Sequence, residues 1–272
     1  MDINAFKMDG LGNDFIIIDR RKNPISINKE KIIKLGRRDN IGFDQLIFID
    51  QINNDTKDHN PITIFNSDGL EVEACGNGSR CVAKILCDEQ KKDEIKIITS
   101  NRILKAKRIS DNDIKLEMGV PVFEWKKIPL SKNVDHKNIN LKINHMELKE
   151  GFAVNVGNPH VVFFVKDCFK YNLEEIGPII ENHELFPEKV NVTFAQIKDA
   201  KNILVNVWER GAGLTKACGT AACATGVVAF EKKLTGNNTN IHFKEGFLNI
   251  EYNGSISMTG PVSDIEKVRL KL

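Results

Sequence analysis

Two cysteines of this 272-residue chain occupy copies of one short motif. Cys75 lies in Glu73-Ala74-Cys75-Gly76-Asn77-Gly78, and Cys218 in Lys216-Ala217-Cys218-Gly219-Thr220-Ala221. A run with helical apolar spacing follows each, through Cys81, Val82, Ile85 and Leu86 in the first copy and from Ala222 to about Lys232 in the second. The spacing therefore puts each thiol at a helix N-terminus. The unpaired N–H groups and macrodipole there stabilise negative charge, which matters because an ordinary thiol is only a few per cent thiolate at neutral pH. One such cysteine is a candidate nucleophile. Two of them, related by an internal two-fold, suit the inversion of a carbon stereocentre by proton transfer. One thiolate removes a proton from one face and the other thiol supplies a proton to the opposite face. For the reverse reaction the roles exchange. The same helix starts can hold an α-carboxylate, whose charge grows as the α-proton leaves.

Other residues fit around that pair. His160 and Glu209 are candidates to hold or shuttle a proton for a thiol. Arg210 is a candidate clamp for a carboxylate. Asn13, Asn66, Asn158 and Asn191 each begin or end a predicted strand at corresponding points of the two copies, a pattern suited to recognising an ammonium and a carboxylate. Each has an ordinary reading too: a structural histidine, a surface salt bridge, turn asparagines, and cysteines serving as small buried apolar groups. Cys81, Cys87, Cys168 and Cys223 are read as core or bystander thiols.

The repeat extends beyond the cysteines. Ile64-Phe65-Asn66-Ser67 lies over Val207-Trp208-Glu209-Arg210, and Gly12-Asn13-Asp14-Phe15 over Gly157-Asn158-Pro159-His160, each followed by apolar residues. Leu116-Glu117-Met118-Gly119 mirrors Ser257-Met258-Thr259-Gly260. Two similar domains follow, 1–119 and 120–262. In the first, strands are predicted at 15–18, 46–49 and 62–65, a short helix at 28–37, the Cys75 helix, and a meander at 95–99, 102–109 and 114–118. Its turns fall at Ser100-Asn101 and Asp111-Asn112. Phe6-Lys7-Met8 leads into a glycine loop that lacks the third glycine of a dinucleotide fingerprint. Residues 121–149 show no firm periodicity. The second domain has predicted strands at 151–156, 161–165, 191–197 and 203–208, and a helix at 172–182 interrupted at Gly177-Pro178. The Cys218 helix and a meander at 241–244, 247–252 and 255–259 complete it. A last strand at 263–272 has no counterpart in the first copy.

Bulk properties bound the partners. The chain is 41% apolar and 28% charged, with a net charge of +2. That is globular, long enough for two cores, and too balanced for an electrostatic case for nucleic acid or an anionic membrane. No secretory signal or membrane-length apolar run is evident, so a cytoplasmic location is expected. Six cysteines in such a chain are expected as free thiols, and their spacings are not those of zinc or C-x-x-C sites, so no metal is expected. Neither a phosphate cradle nor a setting for a pyridoxal-phosphate lysine is seen, so no cofactor is expected either.

Gly10-Leu11-Gly12-Asn13-Asp14-Phe15, Phe65-Asn66-Ser67-Asp68-Gly69, Ala74-Cys75-Gly76-Asn77-Gly78-Ser79-Arg80-Cys81, Gly157-Asn158-Pro159-His160, Trp208-Glu209-Arg210-Gly211 and Ala217-Cys218-Gly219-Thr220 together resemble the diaminopimelate epimerase family over nearly the whole chain. The resemblance implies a cofactor-independent isomerase that interconverts LL- and meso-2,6-diaminopimelate, on the route to lysine and, in most bacteria, peptidoglycan. It implies an α/β (α+β) fold of two pseudo-symmetric domains. Each is a curved, mostly antiparallel sheet around a central helix, with the active site in the cleft between them and the strand 263–272 returning to the first domain. Cys75 and Cys218 match the family's catalytic cysteines, and His160 and Glu209 match residues that assist them. Asn13, Gln45, Asn66, Asn158, Asn191, Glu209 and Arg210 match substrate contacts, as do Gly76, Asn77, Gly219 and Thr220 at the helix starts. The family usually forms homodimers. Asp9 and Trp208 depart from its common residues. Proline or hydroxyproline racemases share the two-cysteine chemistry, but they have no distal amino-acid group for the asparagines and Glu209-Arg210 to read. The related phenazine-pathway isomerases lack the cysteine pair. A thiol redox switch is the reading outside enzymes.

Overall fold

The computed structural model describes residues 2–53, 56–57, 59–72, 75–100, 102–143 and 146–271. Glu73 and Ala74 of the first cysteine motif, and Asn101 of the meander turn, lie outside the described residues. The chain folds into two compact units. One runs to Glu117 and resumes at Thr259; the other spans Met118–Met258.

The first unit contains β1 (Asp2–Gly10), β2 (Asn13–Asp19), α1 (Lys29–Gly36), β3 (Gln45–Ile49), β4 (Asn60–Asn66), β5 (Glu71–Val72), α2 (Gly76–Gln90), β6 (Glu94–Ile98), β7 (Ile103–Arg108) and most of β8 (Asp113–Gly119). Strands β1 and β2 form a hairpin whose two loop residues, Leu11 and Gly12, both have positive φ (61° and 82°), as a type I′ turn requires. Strand β2 pairs parallel with β3, and β3 antiparallel with β4. Strand β4 pairs antiparallel with β5 and parallel with β6, which continues antiparallel through β7 to β8.

The second unit contains β9 (Ile139–Ile143), β10 (Met146–Asn155), β11 (Pro159–Phe164), α3 (Leu173–Glu181), β12 (Asn191–Asp199), β13 (Asn202–Glu209), β14 (Gly213–Leu214), α4 (Gly219–Glu231), β15 (Asn238–Phe243), β16 (Gly246–Tyr252) and the start of β17 (Ile256–Pro261). Its pairings repeat the first set. Strands β10 and β11 are antiparallel, β11 and β12 parallel, β12 and β13 antiparallel. Then β13 pairs antiparallel with β14 and parallel with β15, and β15 antiparallel with β16. The sequence repeat is thus a repeat of strand directions. The result is a mixed α/β fold, mostly sheet with few helices. Strand β18 (Glu266–Lys271) pairs antiparallel with β1, so the chain's last described strand belongs to the first unit.

Each unit is built around one helix. Every residue of α2 from Asn77 to Cys87 is buried, and the helix packs against β1, β2, β3, β6 and β7. Every residue of α4 from Ala221 to Ala229 is buried, and it packs against β10, β11, β12, β15 and β16. A helix buried on all faces is a core helix. Its small residues let strands close in: a Cβ on Gly78 would lie 2.6 Å from Ile47 Cδ1, and one on Gly226 2.7 Å from Ile250 Cγ2.

Three features differ from the sequence reading. Strand β1 is longer than the short lead-in at Phe6–Met8, and it buries Ile3 and Ala5 on one face and Met8 and Gly10 on the other. Strand β9 stands within the stretch that shows no firm periodicity: Ile139, Leu141 and Ile143 alternate inward, but prolines, asparagines and lysines around them mask a signal this short. Helix α3 is continuous through Gly177-Pro178. Proline removes one intrahelical bond there, and the carbonyl it leaves belongs to Glu174, an exposed residue where water can serve. No helix among the described residues is long and apolar enough to cross a membrane.

The close fit of α4 sets up a contest of magnitudes. Gly226→Ala gains roughly 0.5–1 kcal/mol of helix propensity, while overpacking against Ile250 costs about 1–3 kcal/mol. Net destabilisation of about 1 kcal/mol is expected in urea unfolding, against no loss for Gly236→Ala, whose Cβ would meet nothing within 4 Å. An unchanged or raised midpoint for Gly226→Ala would refute the tight packing.

Candidate active site

Both cysteines prove to be N-caps. Cys75 precedes α2 with φ −143° and ψ 113°, and Cys218 precedes α4 with φ −132° and ψ 114°. Each sulfur accepts the N–H three residues on, from Gly78 at 3.4 Å and from Ala221 at 3.4 Å. Each carbonyl accepts the first intrahelical bond, from Ser79 at 2.8 Å and Ala222 at 3.0 Å. A capping sulfur sits where Ser, Thr, Asp or Asn usually do, with the first-turn N–H groups of Gly76-Asn77 and Gly219-Thr220 beside it. All six cysteines are free thiols, and Cys81, Cys87, Cys168 and Cys223 are buried.

The strand pattern brings polar side chains to each helix start. In the first unit β2 and β3 run parallel and β4 runs back, so Asn13 and Gln45 at the starts of two strands meet Asn66 at the end of the third. Gln45 Nε2 donates to Asn66 Oδ1 at 2.9 Å. Asn77 Nδ2 donates to Asn13 Oδ1 at 2.8 Å, and Asn13 Nδ2 donates to Asp44 Oδ2 at 3.3 Å. The remaining amide oxygens, Gln45 Oε1 and Asn77 Oδ1, are buried with no hydrogen-bond partner among the described residues.

Asp44 is a residue the sequence did not single out. It also accepts the Asp14 backbone N–H at 3.1 Å and pairs, with Asp14, to Arg38. Burial and its hydrogen bond with Asp14 push the Asp44 carboxyl upward. At Asp14 burial pushes up as well, but the hydrogen bonds from Arg38 and Asp44 outweigh it and hold that carboxyl low. The two acids share one guanidinium, and their network fixes the amide of Asn13.

The second unit carries a different chemistry on the same plan. His160 lies beside Asn191 across the parallel β11–β12 pair, and Glu209 ends β13. Glu209 hydrogen-bonds with Cys218 and Thr215. Burial first, and the charge of Glu209 second, raise the Cys218 thiol well above its ordinary value, with Thr220 and the Ala221 N–H opposing. Burial likewise raises Glu209, with Cys218 and Thr215 opposing.

His160 is fully buried, and burial, reinforced by the positive charge of Arg210, lowers it to about 3. It is therefore a neutral imidazole. Its Nε2 meets Asn158 Oδ1 at 2.8 Å, an acceptor, which assigns the ring proton to Nε2. Asn158 Nδ2 donates to Thr220 Oγ1 at 3.3 Å, and Thr220 Oγ1 lies 3.4 Å from Cys218 Sγ. His160 thus reaches Cys218 through Asn158 and Thr220. The Thr220 hydroxyl and Thr215 are additions to a sequence reading that used only the backbone at Thr220.

Asn191 and Arg210 divide their tasks. Asn191 is fully buried; its Nδ2 donates to Pro159 O at 2.8 Å and its Oδ1 accepts the Arg210 N–H at 2.9 Å. It braces the backbone beneath Arg210 rather than presenting an open amide. Arg210 is exposed, with Nη1 donating to Glu188 O at 2.9 Å. Among the described residues no group of three or more His, Cys, Asp or Glu side chains is disposed to hold a metal.

The chain is similar to known proteins over its length. The family model described as diaminopimelate epimerase matches residues 5–124 and 152–265. A diaminopimelate epimerase from Pelagibacter ubique is 50% identical over 277 residues, covering 100% of both chains. One from Zymomonas mobilis is 41% identical over 270 residues, covering 98% of this chain and 97% of its own. Among solved structures, a phenazine biosynthesis protein of the PhzF family from Bacillus anthracis shares the fold with a TM-score of 0.69 at 17% identity, covering 100% of both chains. The matched model spans both cysteine caps and the strand ends that surround them, and the chain belongs to the diaminopimelate epimerase family of isomerases.

Proposed function

We propose that this enzyme converts LL-2,6-diaminopimelate to meso-2,6-diaminopimelate without a cofactor, with Cys75 and Cys218 as the acid/base pair. The observation that carries the reading is the duplicated cap: in a chain of this family, both units present a thiol in the same N-cap geometry at the start of a core helix. One thiolate removes the α-proton, and the other thiol delivers a proton to the opposite face of the same carbon. First-turn N–H groups at Gly76-Asn77 and Gly219-Thr220 hold the α-carboxylate, whose charge rises in the transition state. General acid–base catalysis supplies roughly 10²–10⁴-fold, and fixed donors must supply much of the remainder.

Glu209 is the group in contact with Cys218 and the acceptor for its proton when that thiol must act as base. Neutral His160 orients Asn158 and, through it, Thr220 at the sulfur. Asn13, Gln45, Asn66 and Asn158 read the substrate's polar groups. The open oxygens of Gln45 and Asn77 suit a donor such as an ammonium. Arg210 clamps a carboxylate, braced by Asn191. The family likeness extends the reading to a cytoplasmic homodimer acting in lysine and peptidoglycan-precursor synthesis.

NMR of α-proton exchange in D₂O, with freshly reduced protein, tests the reading. Exchange with formation of the second stereoisomer is expected for diaminopimelate and not for L-proline or hydroxyproline. Cys75→Ala and Cys218→Ala are each expected to lower epimerisation by at least about 10³-fold. Near wild-type turnover in either variant would end the two-thiol mechanism, and exchange of proline alone would change the substrate. A second expectation concerns pH. Because the folded imidazole of His160 sits at about 3, it stays neutral throughout the working range and contributes no limb near pH 6.5. A limb near 6.5 in the kcat/KM profile that disappears in His160→Asn would contradict its neutral role.

A further inference from the structure

Glu181, the last residue of α3, is a carboxylate with only 5% of its surface exposed. Its Oε2 accepts the indole N–H of Trp208 at 2.7 Å, and its Oε1 accepts the backbone N–H of Gly211 at 3.1 Å. Trp208 immediately precedes Glu209, and Gly211 immediately follows Arg210. From this bracketing we infer that Glu181 is the positioning residue for the Glu209–Arg210 pair. Its meaning for catalysis rests on the reading above, in which Glu209 serves Cys218 and Arg210 clamps a carboxylate.

The surroundings fit a device for holding that turn. Lys189 Nζ stands 3.6 Å from Glu181 Oε1 and offsets part of its charge. The indole of Trp208 lies flush on α3 at Gly177, where a Cβ would meet Trp208 Cδ2 and Cγ at 2.5 Å. That approach aims Nε1 at the end of the helix. Gly211 has φ +76° and its N–H turned to the carboxylate. Arg210 itself is exposed, and its other holds are the Asn191 amide and the Glu188 carbonyl. A long exposed cation binds a carboxylate well only when its backbone is fixed in advance. A carboxylate is the group that can do this, because both donors need acceptors at a set separation. Glutamine offers one oxygen and turns an NH₂ toward the other N–H.

A plain structural staple between α3 and β13 would predict loss of stability alone. The test therefore uses Glu181→Gln and Trp208→Phe, alone and in an Arg210→Lys background, with diaminopimelate as substrate. Positioning predicts a KM raised about tenfold by Glu181→Gln, with kcat within about twofold, as for loss of ground-state binding. In the Arg210→Lys background the same change should raise KM less than about twofold, because coupled residues do not add. In ¹H–¹⁵N spectra of the whole protein, Glu181→Gln should shift the Trp208 indole, the Gly211 amide and the Arg210 Nε–H together. An unchanged KM, an equal factor in both backgrounds, or a kcat loss that merely tracks a lowered melting temperature would overturn the assignment. Wild-type protein inactive on diaminopimelate would instead defeat the assigned function. The Arg210 Nε–H resonance would then still decide positioning, for it if shifted by Glu181→Gln and against it if unmoved.

Discussion

The first turn of a core helix needs partners for its N–H groups, and in both core helices of this enzyme a cysteine sulfur takes one of them. Oxygen makes the stronger cap: Ser, Thr, Asp and Asn are preferred at this position, whereas these sulfurs accept at 3.4 Å. On the proposed reading, cap strength is given up for a group that can take and give a proton. The rest of each unit follows from that choice. Small residues such as Gly78 and Gly226 draw strands onto the helix, and the alternation of antiparallel and parallel pairs delivers strand ends to its N-terminus.

The repeat is symmetric in backbone and asymmetric in charge. Asn66 ends β4 and Glu209 ends β13 at corresponding positions, so one unit has an amide where the other has a carboxylate. Around α2 the polar groups are tied amide to amide, through Gln45–Asn66 and Asn13–Asn77, with the acids Asp14 and Asp44 held behind them by Arg38. Around α4 the carboxylate touches the thiol itself, and burial together with that charge keeps Cys218 protonated to higher pH. Under the proposed mechanism, a near mirror-image reaction would run on thiols whose immediate partners are chemically distinct.

What the sequence disclosed, and what it hid, divides along physical lines. Cys75 and Cys218 were legible as helix starts because local spacing alone carries that signal, and the caps lie where the spacing puts them. Asn13, Asn66, Asn158 and Asn191 were legible as strand ends, because a polar residue that closes an apolar run marks a boundary. Hidden were the partners that only tertiary structure supplies. Asp44 reaches Asn13 through space and Arg38 in turn holds Asp44, and Asn191 turned inward because the backbone of Pro159 and Arg210 claims its amide. Local rules also misjudge α3, where the carbonyl that Pro178 leaves without an intrahelical donor belongs to an exposed residue, Glu174.

Some buried polar atoms of the candidate site have partners and some do not, and the difference has chemical direction. Asn191 engages both ends of its amide, as does Asn158. Gln45 Oε1, Asn77 Oδ1 and His160 Nδ1 have no partner among the described residues. All three are acceptors, the histidine because its proton is committed to Asn158 at Nε2. A buried acceptor without a partner costs about 1–3 kcal/mol, which a donor on a bound ligand would offset. The amide oxygens lie beside a helix start that already offers N–H donors to a carboxylate. A site that provides donors at the helix start and acceptors on the strands next to it is complementary to a carbon bearing both a carboxylate and an ammonium. Under the proposed function, that pairing of donors with acceptors, more than the thiols taken singly, suits an α-amino acid.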